Sequence, residues 1–218
     1  MESLKNTDCW YAEVCEDDCS NCIKYKSMLW QFDNCGLPKA KYKAIKLIPQ
    51  LVDKETFKHL AEIRKGIVEF VENGNNLYIC GDNPGNGKTS WAIKMLQTFF
   101  HYTAEGNLWN LKGMFVSVPD YLLKAKDFNN PLSKDYKDKL LKVDLLILDD
   151  IAVTGISEYD YLQLFTLIDK RMLAEKTTIF TSNVTNKSAL VKSVGDRLAS
   201  RIWFNSEIVE IKGGDMRG

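Results

Sequence analysis

Apolar positions along the chain follow two periods, and the places where one gives way to the other mark the elements. Over residues 53–73, Phe57, Leu60, Ile63, Ile67 and Val71 recur three or four apart, which predicts one amphipathic helix. Asp53 is its expected N-cap, and Gly74 with the asparagines after it ends it. A short apolar strand follows at 77–80, then a glycine-rich turn. The next helix spans 88–101, with Trp91, Met95 and Leu96 inward. A second strand is expected at 113–118 and a short helix at 120–126. Asn129-Asn130-Pro131 breaks that helix, and Ser133 caps another running to 141. Residues 145–148 are four consecutive apolar residues, the pattern of a strand buried on both faces of a parallel sheet. A helix at 157–175, a strand at 177–183, helices at 188–194 and 196–204 and a strand at 207–212 complete the chain. Strands that alternate with helices in this way predict an α/β fold, a parallel sheet flanked by helices.

The turn after the first of these strands carries the most specific chemistry. It reads Gly81-Asp82-Asn83-Pro84-Gly85-Asn86-Gly87-Lys88-Thr89-Ser90. Gly85 and Gly87 lack a Cβ, so successive backbone N–H groups can close around an anion. The helix that begins near Lys88 adds unpaired N-terminal donors and the positive end of its dipole. Lys88 would reach the β- and γ-phosphates, and the Thr89 hydroxyl would hold Mg²⁺. The stretch is a P-loop with one departure: the usual first glycine falls at position 82, where this chain has Asp, and the glycine stands at 81.

Two further strands end in polar residues at the same predicted sheet edge, where open α/β sheets bind ligands. The strand through 145–148 ends in Asp149-Asp150. Asp149 is placed to hold Mg²⁺ directly or through water, and Asp150 to act as general base on the attacking water. The strand at 177–183 ends in Asn183, whose amide is suited to the γ-phosphate or the water. Arg197 and Arg201 share one helix face four residues apart and would reach a neighbour's nucleotide.

Composition changes the picture mainly at the N-terminus. The chain has 218 residues and no net charge, so it carries no global footprint for nucleic acid. Residues 1–36 nevertheless hold three basic and seven acidic residues, which leaves the remainder at +4. Five of the six cysteines, at 9, 15, 19, 22 and 35, fall in that segment. No apolar run approaches the ~20 residues of a membrane span, and the start lacks a signal-peptide layout; a cytoplasmic protein is expected. In a reducing compartment, clustered cysteines argue for metal ligation over disulfides. Cys15, Cys19, Cys22 and Cys35, with Cys9 as an alternate, would form a tetrahedral Zn²⁺ site replacing a missing core. An iron–sulfur cluster is the rival, and unligated thiols the plain alternative. Trp10, Tyr11, Trp30 and Phe32 would pack around the site. The expected organisation is a cysteine-rich metal-binding domain at 1–36, a basic linker at 37–52 and a nucleotide-binding domain at 53–218. The linker's Lys39, Lys41, Lys43 and Lys46 form a solvated face or contact phosphate or an acidic partner.

The order P-loop, Leu145-Leu146-Ile147-Leu148-Asp149-Asp150-Ile151, Thr181-Ser182-Asn183, Gly195-Asp196-Arg197-Leu198-Ala199-Ser200-Arg201-Ile202 resembles the AAA+ ATPases. Within them it is similar to the DnaC/DnaI-type helicase loaders and the IstB-type transposition helpers, over roughly residues 55–218. The resemblance implies ATP and Mg²⁺ as cofactors, held by residues 81–90 and Asp149. It makes Asp150 stand where many relatives have Glu, Asn183 the sensor of the γ-phosphate, and Arg201 or Arg197 an arginine finger acting in trans. It further implies a homo-oligomer whose weak ATPase is stimulated by assembly or partner, and a role in DNA replication. The partners would be a replicative helicase, gripped by the N-terminal domain, and single-stranded DNA. Compactness suggests a phage or mobile-element version acting in a host cytoplasm. The alternatives are a transposition helper, a nucleotide kinase and a nucleotide-binding adaptor without hydrolysis. The kinase lacks support because the basic residues between 113 and 142 are all lysines, with no arginine-rich lid.

Overall fold

A computed structural model describes residues 22–42, 47–103, 109–125 and 131–216. Within them the chain forms α1 (Ile23–Asn34), α2 (Lys54–Lys65), α3 (Ile67–Glu72), β1 (Asn76–Cys80) and α4 (Lys88–Thr103). Next come β2 (Gly113–Ser117), α5 (Val118–Ala125), α6 (Pro131–Lys142), β3 (Leu145–Asp149), α7 (Glu158–Leu173) and β4 (Thr177–Ser182). The chain closes with α8 (Lys187–Val194), α9 (Asp196–Phe204) and β5 (Ser206–Glu210). The five strands form one sheet in the order β2-β3-β4-β1-β5, and every pairing is parallel.

The strand sequences explain that arrangement. Every residue of β1, β3 and β4 is buried, so those three take the centre. The outer strands β2 and β5 keep partly exposed positions. Alternate residues then feed two separate cores. Leu77, Ile79, Leu145, Ile147 and Ile179 face the layer built from α1 to α4. Tyr78, Cys80, Leu146, Leu148 and Phe180 face the layer built from α5 to α9. In β3 this gives an unbroken apolar run at 145–148, whereas four of the six buried positions of β4 are Thr or Ser.

The element boundaries largely follow the apolar periods, with three differences. The expected helix over 53–73 is interrupted at Gly66, which separates α2 from α3. Asp53 stands at the N-cap of α2 but does not cap it with its side chain. Its carboxylate instead accepts from the Lys212 backbone N–H at 2.8 Å. Pro131 opens α6, since its missing N–H costs nothing in a first helical turn.

The N-terminal segment requires a larger correction. Helix α1 is not part of a separate small domain: Met28, Phe32 and Cys35 are buried in the same core as α2, α3 and α4. Phe32 meets Phe100 of α4 edge-on at 5.5 Å. The Cys35 carbonyl accepts from the Phe115 N–H of β2 at 2.7 Å, and Gln31 donates to the Asn110 carbonyl. Residues 22–42 therefore pack with the nucleotide-binding domain.

Candidate functional site

The C-terminal edge of the sheet brings the polar strand ends together. β1 runs into the glycine-rich loop, where Gly85 and Gly87 adopt φ of 72° and 101°. Glycine occupies that left-handed region without the steric cost other residues meet. The displaced glycine at 81 has its own reason. A Cβ there would lie 2.2 Å from the Ile211 carbonyl oxygen and 2.5 Å from Asn86 Nδ2. The first glycine thus lets β1 pass the chain leaving β5, and Asp82 is free to be a larger residue. Asp82 is exposed, and its carboxylate accepts from the Thr185 hydroxyl at 3.2 Å.

Lys88 opens α4 and is buried. Its ammonium donates to the Gly81 carbonyl at 2.8 Å, the Asn83 carbonyl at 3.0 Å and Asn86 Oδ1 at 2.9 Å. The loop therefore wraps the cation and aims it along the first turn of α4. Burial pushes the Lys88 ammonium down from its ordinary value, while Asp150, Cys80, Asp149 and Asp82 push it back up. Asn86 also donates from Nδ2 to the Ile211 carbonyl at 2.9 Å, so one amide links the loop to the C-terminal chain.

Strand β3 delivers the carboxylates. Asp149 is buried, and its Oδ1 accepts from the Thr89 hydroxyl at 2.8 Å and the Thr181 hydroxyl at 2.6 Å. Burial raises the Asp149 carboxyl from its ordinary value; the two hydroxyls oppose that, Asp150 adds to it, and Lys88 opposes it. Asp150 is exposed, with a left-handed φ of 56°. Its backbone N–H donates to Thr181 Oγ1 at 3.0 Å. Thr181 on β4 thus joins both acids: it donates to one and accepts from the backbone of the other.

A cavity of about 330 Å³ lies over this edge. Its walls include Pro84 to Ser90, Asp150 and Asn183. Among the expected nucleotide-binding residues, Gly81 and Asn83 contribute carbonyls to Lys88 from behind the loop. The Thr89 hydroxyl and the Asp149 carboxylate are oxygen donors of the kind Mg²⁺ prefers, and they already touch. A triphosphate with Mg²⁺ fits this donor set.

Arg197 and Arg201 lie on α9, and neither lines the cavity of its own chain. Arg201 pairs with Asp169 of α7 at 2.8 Å and lies over the Phe165 ring at 4.9 Å.

The proposed four-cysteine site does not close. Cys22 and Cys35 flank the twelve-residue α1, which holds them roughly 20 Å apart by helical rise. One tetrahedral ion cannot bridge that span. Cys35 is moreover fully buried, donates its thiol proton to the Phe32 carbonyl, and is pushed up to about 12 by burial. Cys22 is half-buried and its sulfur caps α1 by accepting from the Tyr25 N–H. Cys9, Cys15 and Cys19, with Trp10 and Tyr11, lie outside the described residues, as do Lys43 and Lys46. Among the described residues no cluster of His, Cys, Asp and Glu could hold a metal ion, and no helix is long and apolar enough to cross a membrane.

Three contributors escaped sequence reasoning: Thr181, Asn86 as a fastener, and Lys41, which also lines the cavity. Thr181 had a usable signal, since it lies two residues before Asn183 and so shares its face near the polar end of the strand.

Comparison with known proteins places this geometry among characterised chains. Residues 49–218 match the family described as IstB-like ATP binding protein. The replicative helicase loader DnaC of Escherichia coli K12 is 25% identical over 152 residues, covering 68% of this chain and 58% of that protein. An insertion sequence IS21-like putative ATP-binding protein of Bacteroides fragilis is 28% identical over 118 residues, covering 54% and 53%. The chain thus spans less than two thirds of either relative. A crystal structure of the DnaC helicase loader superposes with a TM-score of 0.67 at 23% identity, covering 80% of this chain and all of that one.

Proposed function

Because the chain belongs to the IstB-like ATP-binding family, we propose that it is an ATP-hydrolysing loader that delivers a replicative helicase onto single-stranded DNA. The observation that carries the reading is the hydroxyl–carboxylate–hydroxyl link Thr89–Asp149–Thr181, which ties the P-loop to the acidic strand end. Such a link is what a nucleotide hydrolase needs and a bare anion cradle does not. The relatedness to the replicative helicase loader DnaC supplies the partner class.

Bound ATP would supply the phosphoanhydride, and a Mg²⁺ held beside it would supply charge neutralisation. The chain's own residues do the rest. The backbone donors of 85–88 hold the phosphates, and Lys88 offsets their charge. Thr89 and Asp149 would hold the metal ion. Asp150, exposed at the cavity wall, takes the proton from the attacking water, and Asn183 orients that water or the γ-phosphate. Asp150 is one methylene shorter than glutamate, so its reach sets a slow basal rate. Arg201 or Arg197, neither of which lines the cavity of its own chain, completes the site of an adjacent copy, so assembly gates turnover. A zinc site, if the N-terminal segment forms one, uses Cys9, Cys15, Cys19 and Cys22, with Cys35 left in the core.

The experiment is a comparison of the full chain with Lys88→Ala. The parent hydrolyses ATP slowly, faster with single-stranded DNA and the cognate helicase, and forms a nucleotide-dependent complex with that helicase. Lys88→Ala loses nucleotide binding and the complex together. A parent that forms no helicase complex in any nucleotide state refutes the loader role. A transposition helper is the second reading, favoured by the IS21-like relative; capture of a transposase in place of a helicase would select it.

A further inference from the structure

The lysine run at 39–46 has no role in the mechanism above, and one member of it stands at the site. Lys41 lines the cavity beside Lys88, Ser90, Ile93 and Asp150. It precedes residue 49, where the family match begins. We propose that Lys41 is a phosphate-contacting residue, supplied by the N-terminal segment, that reads the terminal phosphate of the bound nucleotide. The inference rests on the nucleotide reading of the site and deepens it.

The backbone at Lys41 is anchored while its side chain is exposed. Residues Lys39–Lys41 form one 3₁₀ turn, closed by the Lys41 N–H donating to the Pro38 carbonyl at 2.8 Å. The Lys41 carbonyl accepts from Gln97 Nε2 of α4 at 3.0 Å. Tyr42, the next residue, stacks on the fully buried Phe32 at 5.1 Å and donates its hydroxyl to Asp33 at 3.2 Å. An anchored backbone pre-organises a long side chain at the cavity wall and lowers the entropy it loses on contact.

The direction of approach identifies which phosphate it meets. The segment bearing Lys41 is tied to β2 through Cys35 and Phe115, and to α4 through Gln97. β2 neighbours β3, the strand that ends in Asp149 and Asp150. The opposite flank of the P-loop, beside β5, is already taken. There Asn86 holds the Ile211 carbonyl and the Met216 N–H donates to the Gly85 carbonyl at 3.1 Å. Lys41 therefore enters on the carboxylate flank, the end of the cavity where the metal-bound terminal phosphate belongs. Lys88 is shared among three oxygens of its own loop. A second ammonium on the carboxylate side offsets the charge that the terminal phosphate adds beside Asp150.

The test is equilibrium titration of the full chain, its Lys41→Ala and its Lys41→Arg variants with Mg·ATP and Mg·ADP. Lys41→Ala is expected to weaken ATP roughly tenfold, the size of one charge-assisted contact, and ADP by less than about twofold. Lys41→Arg restores most of the ATP affinity. The melting temperature without nucleotide stays at the parental value, because the side chain is exposed. Equal weakening of ATP and ADP overturns the assignment to the terminal phosphate, and no weakening of either overturns the contact. A parent chain that binds neither nucleotide refutes the site itself, a result distinct from both.

Discussion

Thr181→Val is the sharpest test of how the two acids are held. The substitution keeps the shape and removes one hydroxyl. That hydroxyl donates to Asp149 at 2.6 Å and accepts from the Asp150 N–H at 3.0 Å. A hydrogen bond to a buried charged group contributes about 1.5–3 kcal/mol, and a backbone donor left without its acceptor adds up to about 1 kcal/mol where water reaches it. Thr89 still supports Asp149, so the loss does not isolate the carboxylate. The expected cost is about 2–3 kcal/mol, or a melting temperature roughly 4–12 °C lower for a chain of this size. The cost has a pH signature, read without metal or nucleotide. Burial already raises Asp149, so the native state holds its proton to higher pH than the unfolded chain. Removing a donor raises it further. The native variant then binds more protons than the unfolded chain over a wider window, and its stability falls relative to the parent as pH rises above the carboxylate range. The gap between the two melting temperatures should be smaller near pH 4, where only the Asp150 N–H loses its partner, and full at pH 7. Thr181→Ser, which keeps the hydroxyl, should show most of the parental stability and no such gap. A Thr181→Val chain as stable as the parent, or a gap that ignores pH, would refute the arrangement.

Three further outcomes are expected. Arg171 is fully buried and donates to the carbonyls of Leu140, Val143 and Thr177 at 2.7, 2.9 and 2.6 Å, and to the Thr178 hydroxyl. Arg171→Met leaves those carbonyls without donors and should cost about 3–5 kcal/mol in denaturant unfolding with nucleotide affinity little changed in the folded fraction. Arg201→Ala should leave ATP binding intact and abolish the stimulation of hydrolysis that accompanies assembly; mixing it with a Lys88→Ala chain tests whether the arginine of one copy serves the cavity of another. Cys22→Ser should lower any zinc recovered from the purified chain, as read by metal analysis, whereas Cys35→Ser should leave the metal content unchanged and reduce thermal stability.

Local signals made most of the nucleotide-binding fold legible, and long-range packing decided the rest. β3 announced itself because a centrally placed strand is buried on both faces, and its run 145–148 is apolar throughout. The P-loop was legible because its chemistry is confined to ten consecutive residues. Asp53 stands at the expected N-cap, but its carboxylate serves a backbone N–H at position 212, a partner 159 residues away that no local rule can see. Helix α1 is hard to see locally because its apolar residues, Met28 and Phe32 among them, are interleaved with Lys24, Lys26 and Asp33 in a cysteine-bearing segment. The spacing of Cys22 and Cys35 looked like a metal frame only while the chain between them was unassigned. Once it is a helix, the two sulfurs stand at its opposite ends.

The segment through Lys41 and the C-terminal residues 211–216 flank the same site from opposite sides, and that bears on how a nucleotide signal could leave it. On the β5 flank, Asn83 donates to the Gly213 carbonyl, and Gln50 grips Gly214 twice, accepting from its N–H and donating to its carbonyl. Met216 then lies against Gly87, where a Cβ would meet its methyl at 2.9 Å. On the β2 flank, the segment through Cys35 and Lys41 is fastened to β2 and α4. The loop between them carries the left-handed glycines Gly85 and Gly87. Any displacement of residues 83–87 must stretch or release hydrogen bonds to the C-terminal strap, whereas a change in charge at the terminal phosphate acts on the N-terminal segment through Lys41. The two couplings are separable: weakening the strap with Gln50→Ala should alter affinity for ATP and ADP alike, because the strap touches the loop and not the terminal phosphate.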